Sequence, residues 1–276
     1  QITQLFMASF KIIGGTPLHG SIRLGGAKTA SYKLMVASLL GQHESRLLNF
    51  SHIEDVEITT QIIQSLGAQT CEAGERTIFI NPASLNKPSI DDEFGPKSRA
   101  STLFIPVLLH KFGEASVPFP GGDKIGNRPL DRHFDGLKAM GVSIQIKNAR
   151  IQAKTKGLKG TTYKFPKNSH TGTETLIMAA VLAKGKTILS NAALEPEVDD
   201  LMEHLNNMGA QIRRRPGKII EIEGVSSLTS SIHKIMPDRN EAVSYACAAL
   251  IAKGDIIVEN ARAQHLQAFL EKLDEI

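Results

Sequence analysis

Apolar and polar positions along the chain switch between two periods, and the switch itself recurs. Four helix-length apolar runs end near glycine: "SYKLMVASLLG" (31–41), "STLFIPVLLHKFG" (101–113), "TETLIMAAVLAKG" (173–185) and "AVSYACAALIAKG" (242–254). Each continues into a short strand-like piece, "SRLLNF", "ASVPFP", "KTILSN" or "DIIVEN". The first three then enter segments whose apolar residues return every three or four positions, "VEITTQIIQSLGA", "DRHFDGLKAMGV" and "VDDLMEHLNNMGA", the period of a half-buried helix. Gly67, Gly141 and Gly209 follow these stripes, where a left-handed residue ends a helix at least cost. Alternating segments such as "VSIQIK", "IQAKT" and "KIIEIEG" read as strands.

The predicted unit is helix, strand, helix, two strands, repeated about every 70 residues, with neighbouring units sharing a core. The fold class expected is α+β. In the third copy Gly209 lies about two dozen residues after Gly185, and the same offset from Gly254 lands past Ile276. The final helix, "AQHLQAFLEKLDEI", stops short of its expected cap, so the fourth copy reads as incomplete and the chain as truncated.

Composition narrows the picture only a little. The 276 residues are 41% hydrophobic and 22% charged, enough for a sizeable core. The formal charge of +4 favours anionic partners without choosing among them. The basic pieces "KTKGLKG" and "RRRPGK" hold no aromatics, and the chain has no Trp and three Tyr, which argues against stacking recognition of single-stranded nucleic acid. Cys71 and Cys247 lack a partner at metal-ligand or CxxC spacing. With no apolar run approaching the roughly 20 residues of a membrane span and no signal-peptide pattern, a cytoplasmic protein is expected, with neither nucleic acid nor membrane as partner.

Six blocks carry candidate chemistry: "LGGAKTA" (24–30), "SRAS" (98–101), "PGGDKIGNRPLDRH" (120–133), "HTGTETLIMAA" (170–180), "NAALEPEV" (191–198) and "MPDRNEA" (236–242). In this order and spacing, from about Phe10 to the end, they resemble the UDP-N-acetylglucosamine 1-carboxyvinyltransferases, enolpyruvyl transferases of peptidoglycan synthesis. The resemblance implies inside-out α/β prisms, each of three repeat units, with the active site in a cleft between two of them. It implies that residues 25–236 form one complete three-unit domain, and that residues 1–24 with 237–276 begin a second whose other two units are missing. It implies transfer of the enolpyruvyl group of phosphoenolpyruvate to the 3-hydroxyl of UDP-N-acetylglucosamine, with release of phosphate and no metal or organic cofactor. The general base of that family, an aspartate, falls outside the matched residues, so this chain is expected to bind nucleotide sugar weakly and not to turn over.

Lys28 follows "GGA" just before a predicted apolar helix, whose N-terminus already favours an anion; alone it would read as a surface lysine, and the resemblance makes it the phosphoenolpyruvate lysine. Beside it Thr29 replaces the usual Asn, keeping a hydroxyl but losing an amide. Arg99 and Arg128 match arginines for nucleotide sugar and phosphate, work that suits a forked guanidinium. Pro129, Leu130, Asp131, Arg132 and His133 match the uridine-binding segment. Asn168, Ser169, His170 and Thr171 precede the third apolar helix, where backbone N–H groups meet a diphosphate or where Thr171 or Thr173 simply caps the helix. Asp238 and Arg239 read equally as a hinge ion pair or a substrate contact, and Glu195 and Glu197 as salt-bridge residues or as shaping the cleft. The resemblance makes Asp123, which stands where many relatives have Cys, the general acid; an exposed Asp ionises near pH 3.9, so it acts only if desolvation or substrate charge lifts it against Lys124 and Arg128. Two other readings stay open: a 3-phosphoshikimate 1-carboxyvinyltransferase-like enzyme, and a non-catalytic nucleotide-sugar-binding paralogue.

Overall fold

The computed structural model describes residues 10–121 and 129–275. They divide into two compact units, residues 25–237 and residues 1–24 with 238–276. The first element, β1 (His19–Arg23), belongs to the smaller unit.

The larger unit is built of three copies of one arrangement. The first comprises α1 (Lys28–Ser38), β2 (Ser45–Leu48), α2 (Glu54–Ser65), β3 (Gln69–Glu72) and β4 (Thr77–Asn81). The second enters through a 3-10 turn, Arg99–Leu103, into α3 (Phe104–Phe112), then β5 (Glu114–Pro118), α4 (Asp131–Ala139), β6 (Ser143–Lys147) and β7 (Arg150–Lys154). After β8 (Thr162–Lys164) the third holds α5 (His170–Ala180), β9 (Lys186–Ser190), α6 (Pro196–Asn207), β10 (Gln211–Arg215) and β11 (Ile219–Glu223).

Helices α1, α3 and α5 carry apolar residues all round, and a helix without a polar face has to be surrounded by protein. They form the centre: Leu34, Met35, Phe104, Val107, Leu108, Leu176, Ile177 and Met178 are fully buried. Helices α2, α4 and α6 bury one stripe each, as with Val198, Leu201, Met202 and Leu205 at i, i+3, i+4 and i+7. Gly67, Gly141 and Gly209 stop these three helices with φ of 95°, 90° and 104°, as their positions predict. At Gly136 an added Cβ would meet the Leu176 side chain at 2.3–2.9 Å, so the glycine lets α4 lie close on α5.

Each repeat places its strands outside the helices in a three-stranded antiparallel set with its last strand in the middle, β2-β4-β3, β5-β7-β6 and β9-β11-β10. Strand alternation follows: Ile78 and Ile80 of β4 and Ile220 and Ile222 of β11 face the helices. A fourth partner, absent from the predicted unit, comes from the connection out of the previous repeat. Strand β8 pairs in parallel with β9, and Ser89 bridges in parallel to Ser116 of β5. The last connection, β12 (Ile232–Lys234), returns to β2 of the first repeat with Ile232 opposite Arg46, and so closes the ring. Polar groups secure this closure. Buried His204 of α6 bonds Ser38 at 3.0 Å and Ser231 at 2.9 Å, and His233 meets Asp200 at 3.0 Å.

The smaller unit continues with α7 (Arg239–Ile251), β13 (Asp255–Glu259) and α8 (Gln267–Leu273). Strand β13 pairs in parallel with β1 from His19 opposite Asp255 to Arg23 opposite Glu259, as β8 pairs with β9. Leu250, Ile251 and Ile257 are exposed.

The turn into α1 depends on one glycine. At Gly26 a Cβ would lie 1.7 Å from the Asn49 carbonyl oxygen, while Asn49 is held by its own bond to the Ile235 carbonyl at 3.0 Å. Neither backbone can yield without moving β2 or the ring closure. Gly26→Ala is expected to lower stability by about 3 kcal/mol or more, the upper range for an overpacked site, read as a shifted urea midpoint; a change below 1 kcal/mol would show that this turn is pliable.

Candidate active site

The parallel run of helices brings their N-terminal ends together at one end of the larger unit. Lys28, the first residue of α1, lies 3.2 Å from Asp55 in the first turn of α2. Asp55 also accepts from Ser98 Oγ at 2.8 Å, which joins the start of the 3-10 turn before α3. The Thr29 hydroxyl donates to Glu197 in the first turn of α6 at 3.4 Å. On α4 His133 Nε2 is 2.9 Å from Thr171 Oγ1 in the first turn of α5. Each helix end presents N–H groups with no partner inside its own helix and a partial positive charge, so the cluster favours an anion. A cavity of about 310 Å³ opens there, lined among others by Lys28, Thr29, Tyr32, Lys97, Ser98 and Arg99. A larger one of about 700 Å³ beside α2 is lined by Glu54, Glu57 and Glu72 with no Lys or Arg, whereas the smaller, although Glu54 and Asp55 also line it, holds Lys28, Lys97 and Arg99; the smaller is the candidate site for an anion.

Two residues set the local electrostatics. His133 is 5% exposed, and burial, reinforced by the Arg99 charge against the pull of Asp131 and Glu174, pushes its pKa down to about 4. It is a neutral group whose Nδ1 has no partner among the described residues. Lys33, one turn into α1, is 1% exposed and forms an ion pair with fully buried Glu174 of α5. Its Nζ donates to Oε1 at 2.8 Å and lies 2.6 Å from Oε2, outside hydrogen-bond geometry. His170 Nε2 is 3.2 Å from the same Nζ.

Of the residues singled out in the sequence, Lys28, Thr29, Arg99, His133, His170 and Thr171 meet at this end. Asp131 is exposed at the start of α4, Arg132 is half-buried, and Pro129 is exposed before the buried Leu130. Asn168 is exposed and reaches the Ala192 carbonyl at 3.5 Å. Neither Thr171 nor Thr173 caps α5. Ser169 does, accepting from Gly172 N at 3.2 Å, while Thr173 donates back to the Ser169 carbonyl. Asp238 and Arg239 belong to the smaller unit, where Asp238 caps α7 by accepting from Asn240 N at 2.7 Å and Glu241 N at 3.2 Å. Glu195 precedes α6 and is half-buried, and Glu197 is buried. Asp123 and Arg128 lie outside the described residues.

Sequence reasoning missed Asp55, Lys33 and Glu174. Asp55 carries only the ordinary signal of an acid in a first helical turn. Lys33 and Glu174, each a charge inside an otherwise apolar run, were the available clue to a buried pair.

The sequence model of the family described as EPSP synthase (3-phosphoshikimate 1-carboxyvinyltransferase) matches residues 12–276. The chain belongs to this family. Within it, UDP-N-acetylglucosamine 1-carboxyvinyltransferase of Halothermothrix orenii is 40% identical over 98% of this chain and 65% of its own length. The protein of the same name from Trichlorobacter lovleyi is 40% identical over 95% of this chain and 62% of its own. The chain thus spans a little under two thirds of the length of these curated relatives. Among solved structures, the enolpyruvyl transferase NikO from Streptomyces tendae matches with a TM-score of 0.76 at 20% identity, over 85% of this chain and 56% of that one. EPSP synthase from Acinetobacter baumannii matches with 0.72 at 19% identity, over 91% and 58%. At such identities the two structures establish the fold of this EPSP synthase family chain, with its helices inside and its sheets outside. No helix among the described residues is long and apolar enough to cross a membrane.

Proposed function

We propose that this chain supplies substrate-binding parts of a UDP-N-acetylglucosamine 1-carboxyvinyltransferase acting in peptidoglycan synthesis. The observation that carries the reading is the meeting of Lys28 and Arg99 with several helix N-termini around one cavity, a site suited to a molecule bearing phosphates. The names of relatives at 40% identity support the choice of nucleotide sugar.

In the proposed reaction the 3-hydroxyl of the sugar gives its proton to the general base, an aspartate outside the matched residues, and its oxygen bonds C2 of phosphoenolpyruvate as C3 takes a proton from the general acid, giving a tetrahedral adduct. Loss of that C3 proton with departure of phosphate restores the double bond on the sugar. Lys28 balances phosphoenolpyruvate charge, Arg99 and Arg128 hold phosphates, and Asp123 carries the proton to and from C3. His133 is neutral at working pH, so it serves the uridine or ribose as a hydrogen-bonding group and adds no charge. Asp55 keeps Lys28 extended across the cavity mouth until an anion competes for it. Pro129–His133 and Asn168–Thr171 complete the nucleotide-sugar contacts.

Titration calorimetry tests the reading. UDP-N-acetylglucosamine is expected to bind and shikimate 3-phosphate not to, with Arg99→Ala weakening the nucleotide sugar about tenfold and Lys28→Ala weakening phosphoenolpyruvate by a similar factor, the worth of one charge-assisted contact. Preferential binding of shikimate 3-phosphate would instead favour the 3-phosphoshikimate 1-carboxyvinyltransferase reading, which the family description makes the chief alternative.

A further inference from the structure

Lys33 and Glu174 form an ion pair that the proposed chemistry leaves without a role. Lys33 is 1% exposed and Glu174 fully buried, and they join α1 to α5 at the second turn of one and the first turns of the other. A buried pair of this kind is seldom needed for stability, since well-packed apolar residues do as well. Its place is what distinguishes it. The third member is His170, the first residue of α5, whose side chain is 23% exposed at the end where the helix N-termini gather.

The contacts decide which ring nitrogen of His170 carries hydrogen. Nε2 stands 3.2 Å from Lys33 Nζ with hydrogen-bond geometry, and 3.2 Å from Glu174 Oε1 at ion-pair distance. An ammonium has three donors and no acceptor. Toward Nε2 it can only donate, and that requires a lone pair there. The opposite assignment would set an N–H against a buried ammonium and leave that ammonium with Oε1 as its single hydrogen-bond acceptor, which costs far more than an ordinary lost bond. The imidazole proton therefore sits on Nδ1, away from the pair.

We propose that Lys33 and Glu174 are positioning residues that lock His170 in the Nδ1–H tautomer, so that His170 offers a neutral donor to a phosphate group held at the α5 N-terminus. The assignment of that phosphate rests on the nucleotide-sugar reading above; the tautomer does not. Glu174 orients and neutralises Lys33, Lys33 fixes the ring, and the ring adds one directed hydrogen bond where backbone N–H groups already favour an anion. A neutral donor gives direction without adding to the cationic charge of Lys28 and Arg99.

The test compares the wild-type chain with His170→Ala, with the double variant Lys33→Met/Glu174→Gln, which removes both charges together and keeps side-chain volume, and with the triple variant. Nitrogen NMR of the His170 ring in the free chain should show the proton on Nδ1, and in the double variant a mixture of tautomers. Calorimetry with UDP-N-acetylglucosamine should show about tenfold weaker binding for His170→Ala and for the double variant, and no further loss in the triple, because the pair acts through the ring. Inorganic pyrophosphate should follow the same order, and uridine should not respond. A proton on Nε2 in the wild type, or an unchanged tautomer in the double variant, overturns the positioning role. Additive losses in the triple variant, or retention of affinity without His170, overturn its route to the ligand. If pyrophosphate follows the order and UDP-N-acetylglucosamine does not bind, the anion site stands and the nucleotide-sugar reading falls; if neither ligand binds, the donor role falls as well.

Discussion

Lowering the pH from 7 to 5 should remove about 5–6 kcal/mol of stability from the larger unit, through three histidines that folding keeps neutral. Burial pushes His110 down to about 4 against its bonds to the Ala179 and Met178 backbone, His133 to about 4 with help from Arg99, and His204 to about 3 with help from His233. Each unfolded side chain takes up a proton near pH 6.5, whereas each folded one resists until pH 3 to 4. Between these limits the unfolded chain binds more protons, so stability rises with pH. The contribution is complete above pH 6.5 and is lost as pH falls through the window, at about 2 kcal/mol per histidine by pH 5. A domain's whole stability is only about 5–15 kcal/mol, so the acid transition should begin well above the carboxylate range. Urea titrations at pH 7, 6 and 5 measure it. His204→Gln should be less stable at pH 7 for its lost bonds to Ser38 and Ser231, yet show about one third less pH dependence. Equal slopes for the two proteins would remove His204 from the account.

Glu174→Leu should cost about 3–5 kcal/mol at neutral pH, because it leaves the Lys33 ammonium buried without its counter-charge. Lys33 cannot reach water by a rotamer change, being 1% exposed between two central helices. Its remaining hydrogen-bond partner, the His170 ring, is a neutral acceptor, and neither it nor the Tyr32 ring 5.9 Å away can replace a carboxylate. Lys33→Met/Glu174→Gln should recover most of the loss, since with neither charge present nothing remains to be solvated. Urea midpoints of the single and double variants give the coupling directly. A single variant within 1 kcal/mol of wild type would mean that water or another carboxylate reaches Lys33 and that the pair is not sealed.

Much of the fold was legible because its two periods are physically distinct. The central helices announced themselves as apolar runs too long for strands, and the outer helices as stripes ended by Gly67, Gly141 and Gly209. Their starts were less clear. Helix α1 begins at Lys28, three residues before the apolar run suggested, because Ala27 carries no capping side chain. Helix α3 begins as a 3-10 turn, and α5 is capped by Ser169 although two threonines stand within reach of the same task. Strands β8 and β12 were invisible, since three residues hold no measurable period and their hydrogen bonds lie with a neighbouring repeat. At the site, Lys28, Arg99, His133 and His170 were found through the resemblance, while Asp55 was missed because its partner Lys28 lies on a different helix.

The amino-acid sequence alone determined the repeat, the inside and outside helices and the residue types that suit a phosphate-bearing ligand. These are local properties: periodicity, chain reversal at glycine, and the chemistry of single side chains. Only the tertiary structure decided which charges meet. It set Lys28 on Asp55 and Lys33 between Glu174 and His170, and it made His133 neutral. Coulomb energy and desolvation depend on distance and burial, and residues 141 positions apart acquire both only when β12 closes the ring and the helices pack side by side.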